Sequence, residues 1–403
     1  MAARPLLLTA IAASLTLLPA CQKADDVARA KTTTQTCTVA DMMAHDRPRM
    51  LAKADDYINA EVRTVTSDRA ELSAGGPNDF FSQGDYWWPV PGQPDAPYEQ
   101  RDGQSNPDNF IAHRNSMMAL SDIVGTLATA HKMTGEQKYA DAANAHLRAW
   151  FVEPDTMMNP SLLYGQAIVG RVTGRNIGII DTMHLVDVAR AADHLIDAGT
   201  MGNEDADAIQ DWFSKYSTWM NTHPYGIKER DWHNNHSIAW SMQIASFADL
   251  TGDAELMAVA RNRFKDIYLR EMMAEDGSFP KETARTKPHG YSIFVYDLMA
   301  AVAQLTSAPG ENLWTLKTDN GRDMKLGMDF IRLYAVDKSD WPFPKDIAYW
   351  DEPAQRRAFL LFGAQQLNDC SLWEMAKPLD TDPETYEVIR NMPIRSPLLW
   401  MEQ

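Results

Sequence analysis

Residues 231–237 read Asp-Trp-His-Asn-Asn-His-Ser, and an apolar helical pattern starts directly after them. Asn and Ser suit helix N-termini, because their side chains accept a backbone N–H that the helix leaves unpaired. Capping accounts for one Asn. It does not account for Asn234 and Asn235 set between His233 and His236. A helix entrance presents free N–H donors and a partial positive charge, which together make an anion site. Asn235 and His236 are therefore placed to hold a carboxylate, with Asn234 beside them. A second group lies downstream, Glu282-Thr283-Ala284-Arg285-Thr286, with Tyr291 following. Amide, imidazole, guanidinium and phenol form the set that β-elimination next to a carboxylate requires. The proton on the neighbouring carbon is very weakly acidic while the carboxylate stays charged, and neutralising that charge stabilises the enolate-like transition state. A base then takes the proton and an acid protonates the departing oxygen. A phenol titrates at about 10 in isolation, and a nearby Arg favours the phenolate, so one Tyr can fill both roles.

Other chemistries find less support. A glycoside hydrolase generally uses two carboxylates at a defined separation. Asp85, Asp181, Asp231 and Glu282 are available, but none stands in a specific motif. His233 and His236 are spaced i, i+3, without the carboxylate or Cys pattern of a metal site, so no metal and no cofactor is implied. Cys37 and Cys370 lie in no nucleophile motif and are candidates for a disulfide in an oxidising compartment.

These groups need a scaffold. The chain has 403 residues, 45% of them hydrophobic, enough for one large domain with a sizeable core. Its formal charge of −17 excludes nucleic acid as a general partner, although a cleft can be locally basic on an acidic protein. Residues 1–21 read as a lipoprotein signal peptide: Arg4, an uncharged apolar run from Leu6 to Leu18, then Leu18-Pro19-Ala20-Cys21, which resembles a lipobox with Cys21 as the lipidated residue. Gln22 after it resembles lipoproteins sorted to the outer membrane, so a periplasmic location with membrane contact only through this N-terminal anchor is expected. Residues 22–40 are polar and Thr-rich and read as a flexible tether, leaving 41–403 as a single catalytic domain.

Helical periodicity dominates that domain, over about 41–64, 115–133, 137–151, 182–197, 206–220, 236–250, 253–270, 292–306, 323–336 and 354–367. In 182–197, Leu185, Val188, Ala192 and Leu195 form one stripe, with Asp187, Arg190, His194 and Asp197 on another face. No convincing run of alternating strand residues occurs. An internal echo joins Thr134-Gly135-Glu136 to Thr251-Gly252-Asp253: each ends one helix and opens another, and a long loop follows the second helix. Repeated helix pairs with loops at one end predict an all-α fold, an (α/α) toroid or incomplete barrel of about six to seven helix pairs. Residues 80–111 and 338–353 are loop-rich and aromatic, and such long segments in a compact domain are usually functional.

Several stretches in order resemble the alginate lyase superfamily, which includes polysaccharide lyase family five and the glucuronan lyases of family thirty-eight. They are Tyr86-Trp87-Trp88-Pro89, Arg101-Asp102-Gly103, Asn106-Pro107, Thr156 to Pro160 through Gln166 to Gly174-Arg175, and Gly178 to Asp181. Asn234-Asn235-His236, Asp276 to Pro280, Ala284-Arg285-Thr286 and Tyr291-Ser292 complete them. The resemblance implies an α/α barrel and metal-independent elimination on a β-1,4-linked polyuronate, an acidic polysaccharide such as alginate or glucuronan. Carried over by motif, Asn235 and Arg285 would neutralise the uronate carboxylate, His236 would help or act as a second base, and Tyr291 would be general acid and base. Tyr296 is the alternative proton carrier. Gln166, Arg171 and Arg175 could hold further carboxylates, Tyr86, Trp87 and Trp88 could stack on sugars, and His113 could reach the cleft. The competing readings are a toroid glycoside hydrolase and a non-catalytic polyuronate-binding lipoprotein.

Overall fold

The computed structural model describes residues 37–402 together with Met1. Cys21 and the tether residues before Cys37 lie outside the described residues. Fourteen α-helices are used below: α1 (Val39–Tyr57), α2 (Ala112–Thr134), α3 (Gln137–Phe151), α4 (Leu185–Asp197), α5 (Asn203–Thr222), α6 (Pro224–Arg230), α7 (Asn235–Thr251), α8 (Ala254–Arg263), α9 (Pro280–Thr283), α10 (Pro288–Thr306), α11 (Met324–Ile331), α12 (Ala358–Gln366), α13 (Cys370–Ala376) and α14 (Tyr386–Arg390). Four short strands accompany them: β1 (Phe81–Gln83), β2 (Trp87–Trp88), β3 (Glu99–Gln100) and β4 (Tyr164–Ala167). Successive helices pack in pairs, α2 with α3 and α7 with α8, into an open α/α toroid.

Local chemistry sets the ends of these helices. Thr38 caps α1 in a reciprocal box with Asp41. Gly135 and Gly252 close α2 and α7 in the left-handed conformation, at φ +72° and +70°, where a side chain would be strained. α7 and α10 are apolar on nearly all sides, so they run through the middle of the core and pack on each other. α4 buries the expected stripe of Leu185, Val188, Ala192 and Leu195. Asp187 departs from its expected polar face. It is fully buried and accepts from the Arg395 and Ser396 N–H groups and the Trp400 indole, which anchors the C-terminal segment to α4.

Some boundaries differ from the sequence reading. The first helix stops at Tyr57, and 323–336 shortens to α11. α8 continues as a π-helix over Phe264–Met272. The strands β1 and β4 pair in parallel, with Phe81 opposite Tyr164, and β2 pairs antiparallel with β3. At two to four residues each they are too short to show alternation, yet they pin the aromatic loop and the 164–167 segment to one rim of the toroid. Cys37 and Cys370 are joined by a disulfide, linking the start of α1 to the start of α13. Among the described residues no helix is long and apolar enough to cross a membrane.

Candidate active site

A cleft of about 700 Å³ opens where the N-terminus of α7 meets the aromatic loop, the 164–180 segment and the start of α10. Tyr86, Trp87, Gln166, Arg171, Arg175, Asn234, Asn235, His236, Arg285 and Tyr291 all line it. Two of the residues expected there do not. Trp88 points elsewhere, its indole donating to the Gln104 carbonyl at 2.9 Å with the Arg101 guanidinium 5.1 Å from its ring. His113 is buried under β1: its Nδ1 accepts from the Phe81 N–H at 3.0 Å, and Nε2 faces the Asp68 carbonyl at 2.9 Å. It holds the loop rather than a ligand. Tyr296 is wholly buried, donating to the Gly277 carbonyl, so Tyr291 is the phenol of α10 that reaches the cleft.

The entrance of α7 is built differently from the open anion site its sequence predicts. Asn234 is the cap, its Oδ1 accepting from the His236 N–H at 3.3 Å. The Asn235 N–H donates to Glu282 Oε1 and the Asn235 Nδ2 to Glu282 Oε2, both at 2.7 Å. A carboxylate does sit at the helix entrance, but it is the protein's own. Burial pushes the Glu282 carboxyl up, against the two Asn235 donors and the nearby Arg285 and His236 that favour its charge. A ligand carboxylate must therefore meet side chains here, not backbone N–H groups.

His236 is oriented from the other side. Its Nδ1 faces the buried Glu229 carboxylate on α6, which also accepts from Asn176 Nδ2 at 2.9 Å. A carboxylate only accepts, so Nδ1 carries a hydrogen, and in the neutral ring the lone pair is then on Nε2.

Arg285 forks between two partners. Asp102 Oδ1 accepts from its Nη2 at 2.8 Å, and the same nitrogen donates to the Tyr291 hydroxyl at 3.1 Å. The guanidinium also lies 4.2 Å from the Tyr291 ring centroid. Asp102 is positioned by Thr286, whose hydroxyl donates to it at 3.0 Å. Gly103, at φ +75°, makes that closure possible, since a Cβ there would meet the Thr286 hydroxyl at 2.5 Å. Burial raises the Asp102 carboxyl, but Arg285 and Thr286 outweigh it and hold it below the usual range.

Tyr291 does not rest as the phenolate that its Arg neighbour suggests. Burial, reinforced by Tyr86, pushes its phenol well above the ordinary value, and Arg285 only partly offsets this. Its hydroxyl lies 3.0 Å from that of Tyr86. The site thus sets a neutral phenol beside an imidazole and an Arg.

Around this centre the cleft is cationic. Arg171, Arg175, Lys228, Arg285 and Arg390 line it against two carboxylates, Asp85 and Asp102, which are already paired with Arg390 and Arg285. The Arg171 and Arg175 guanidiniums lie 5.3 and 5.8 Å from the Trp87 ring centroid, so an aromatic ring and two cations share this part of the cleft. Gln166 is fixed by Asp181 and Arg175 and holds a left-handed backbone, φ +49°, which for a non-glycine residue is a strained conformation typical of functional sites. Trp232 stacks on His233 with centroids 5.3 Å apart, and both also line a second cavity of about 450 Å³ that adjoins the cleft. Sequence reasoning missed the partners Glu229, Asp102, Lys287, Glu387 and Arg390. Glu282 and Asp102 lie within quoted motifs, whereas nothing local singles out Glu387 or Arg390.

The carboxylates open to a hydrolase are committed elsewhere. Asp85 sits between Arg114 and Arg390, at 2.6 and 3.0 Å. Asp181 accepts from Arg114 at 2.8 Å and from Gln166 at 3.1 Å. Asp231 pairs with Arg230 on the exposed side, and Glu282 with Asn235.

Comparison with known proteins identifies the family. The alginate lyase family model matches residues 64–341. An alginate lyase structure from Bacteroides ovatus is 27% identical, with a TM-score of 0.75, covering 95% of this chain and 98% of that one. Alginate lyase A1-III from Sphingomonas species A1 shares the fold at 17% identity and a TM-score of 0.50, over 79% of this chain and 85% of its own. A histidine-to-alanine variant of A1-III, solved with a tetrasaccharide, matches at 17% identity and 0.51, over 83% and 95%. No curated protein sequence matches significantly. A family match over more than half the chain, on a toroid whose cleft gathers Asn235, His236, Arg285 and Tyr291, places this protein in the alginate lyase family, as a polysaccharide lyase.

Proposed function

We propose that the protein cleaves a β-1,4-linked polyuronate, alginate or polymannuronate or glucuronan, by β-elimination. The observation that carries this reading is the Tyr291 hydroxyl held 3.1 Å from Arg285 Nη2 in the cleft that Asn235 and His236 also line. Arg285 and Asn235, with His236, neutralise the uronate carboxylate, so that negative charge building on it in the transition state is met by fixed donors. The C5 proton passes to a base, electrons form the C4–C5 double bond, and the C4–O4 bond breaks. Tyr291 delivers a proton to the departing O4, the role its neutral resting state favours. It takes the C5 proton as well once it has lost its own, and His236 Nε2 is the second base. Arg171, Trp87 and Arg175 bind a neighbouring sugar, ring against indole and carboxylate against guanidinium. The lipobox at Cys21 supports an exported, membrane-anchored enzyme, and the Cys37–Cys370 bond fits an oxidising compartment.

The experiment is incubation with alginate, polymannuronate and glucuronan while following ultraviolet absorbance of the unsaturated product. Rising absorbance with at least one of them is expected. New reducing ends without absorbance would indicate a hydrolase, and binding with neither a polyuronate-binding protein. Tyr291→Phe should lower kcat by about 10³-fold while leaving substrate binding within a few-fold; full activity in that variant rejects the assignment.

A further inference from the structure

Two larger cavities continue the cleft beyond the residues around Arg285 and Tyr291. One, of about 610 Å³, shares Ile168, Arg171 and Val172 with it. Its lining is mostly apolar, with Leu72, Phe81 and Val169, and Arg171 is the one charged side chain. The other is the groove of about 450 Å³ that shares Trp232 and His233 with the cleft and no residue with the first cavity. Trp232 and His233 form the ridge between cleft and groove. Their rings stack with planes 24° apart, His233 exposed and Trp232 half-buried. The chain on either side holds this ridge in place: the Trp232 N–H donates to the Glu229 carbonyl of α6 at 3.2 Å, and Asn234 caps α7. One cation accompanies each cavity. Lys228 lines the cleft, with Nζ 5.7 Å from the Trp232 ring centroid, and Lys281 of α9 lines the groove. Both are exposed, and neither has an ion-pair partner among the described residues. Two carboxylates also line the groove. Asp231 is held by Arg230 at 2.9 Å and Arg263 at 3.2 Å, whereas Glu271 is exposed and unpaired among the described residues.

An acidic polymer longer than the cleft must leave it by one of these two ways. The apolar one sets hydroxyls and carboxylates against leucine, phenylalanine and valine, which desolvates polar groups without pairing them. The other offers an aromatic ledge with a free ammonium on each side. We propose, on the polyuronate reading of the cleft, that the groove beside Trp232 and His233 is a distal subsite for the same chain. A uronate ring rests on the His233–Trp232 ledge, and carboxylates of that sugar and the next meet Lys228 and Lys281. Glu271 opposes the second of these contacts and limits its strength. Trp232, His233, Lys228 and Lys281 all lie outside the stretches that resemble the family, so the shared motifs do not account for the ledge. No bond changes here. The subsite adds binding far from the reacting carbon, so it favours long chains over short ones.

The test measures kcat and KM on oligomers of graded length, and on polymer, of whichever polyuronate the wild-type enzyme cleaves. Lys281→Gln should raise KM on polymer by about two- to fivefold, the range of one exposed ion pair, and the rise should shrink as the oligomers shorten. Glu271→Gln should shift KM on polymer the opposite way, downward by about twofold, again most for the longest chains. Both side chains are on the surface, so both variants are expected to fold. Lys281 precedes Glu282, and a merely structural disturbance there would lower kcat at every length instead. Effects equal at all lengths, or no effect from either substitution, overturn the distal subsite. Absence of unsaturated product from the wild-type enzyme would defeat the lyase reading separately. The same variants are then compared by equilibrium binding of long and short polyuronate: a length-dependent loss in Lys281→Gln upholds the subsite, and no such loss overturns it.

Discussion

Asn235 and His236 reach the cleft by leaning on carboxylates. Glu282 accepts from the Asn235 backbone N–H and from one of the two hydrogens on its Nδ2, and Glu229 faces Nδ1 of His236. Glu282→Gln keeps the shape but turns one acceptor into a donor facing another donor. A buried mismatch of this kind costs about 1–3 kcal/mol and leaves Asn235 misdirected. We expect a lower melting temperature and a kcat reduced by roughly 10- to 100-fold, measured by thermal melts and product absorbance; wild-type kcat would show that Asn235 needs no such support. The four central residues were legible because their types are unusual together and two of them sit in a short motif before a helix. Their supports were not, since Asp102 comes to Arg285 across 183 positions and Glu387 to Lys287 across 100. The chemistry of a residue is written locally, but the partner that aims it is chosen by the fold. Tyr291 shows the same limit: its Arg neighbour was visible, and the burial that outweighs that neighbour was not.

At the scale of elements, the rim of the cleft depends on a close approach between β4 and the turn of 3₁₀-helix at Asn176–Thr182. Gly178 lies against Gly165, and a Cβ on Gly178 would come within 2.5 Å of the Gly165 carbonyl. Gly178→Ala must push the two segments apart, at a cost of about 1–3 kcal/mol for overpacking. The segments carry Gln166 and Asp181, which hydrogen-bond each other, so activity should fall together with the melting temperature. An unchanged melting temperature would mean the contact yields freely. Long amphipathic elements such as α3, α4 and α5 were readable from periodicity. The aromatic loop was readable as a loop, but β1 to β4 and α6 were not, because two to seven residues carry too little period and their order comes from distant pairing. The π-helix after α8 has no periodic signature of its own either.

For the whole molecule, acid stability follows from buried titratable groups. Burial lowers His184 to about 3, and His194 and His289 to about 4 each. These rings are neutral in the folded protein, while the unfolded chain protonates them below about 6.5. Their contribution is complete above that value and is lost as pH falls toward 4. Asp187 and Asp297 run the other way, raised by burial to about 6 each. Their protonated forms are favoured in the folded state, so what they contribute is present at low pH and is lost as pH rises through about 6. The histidine shifts are more numerous and larger, and a lower melting temperature near pH 5 than near pH 7 is expected; the reverse order would mean the aspartates dominate. Reduction should also weaken the protein. The Cys37–Cys370 bond closes a loop of 333 residues, and losing it should cost about 3–5 kcal/mol, read as a lower denaturation midpoint in reducing buffer.

That same bond makes almost the entire domain a covalent ring. A protease that cuts once anywhere between Cys37 and Cys370 produces two chains but not two molecules. Such a nicked protein migrates as one band in a non-reducing gel and as two after reduction. The packed core still holds both pieces, so an exposed loop can be cut without scattering the fragments.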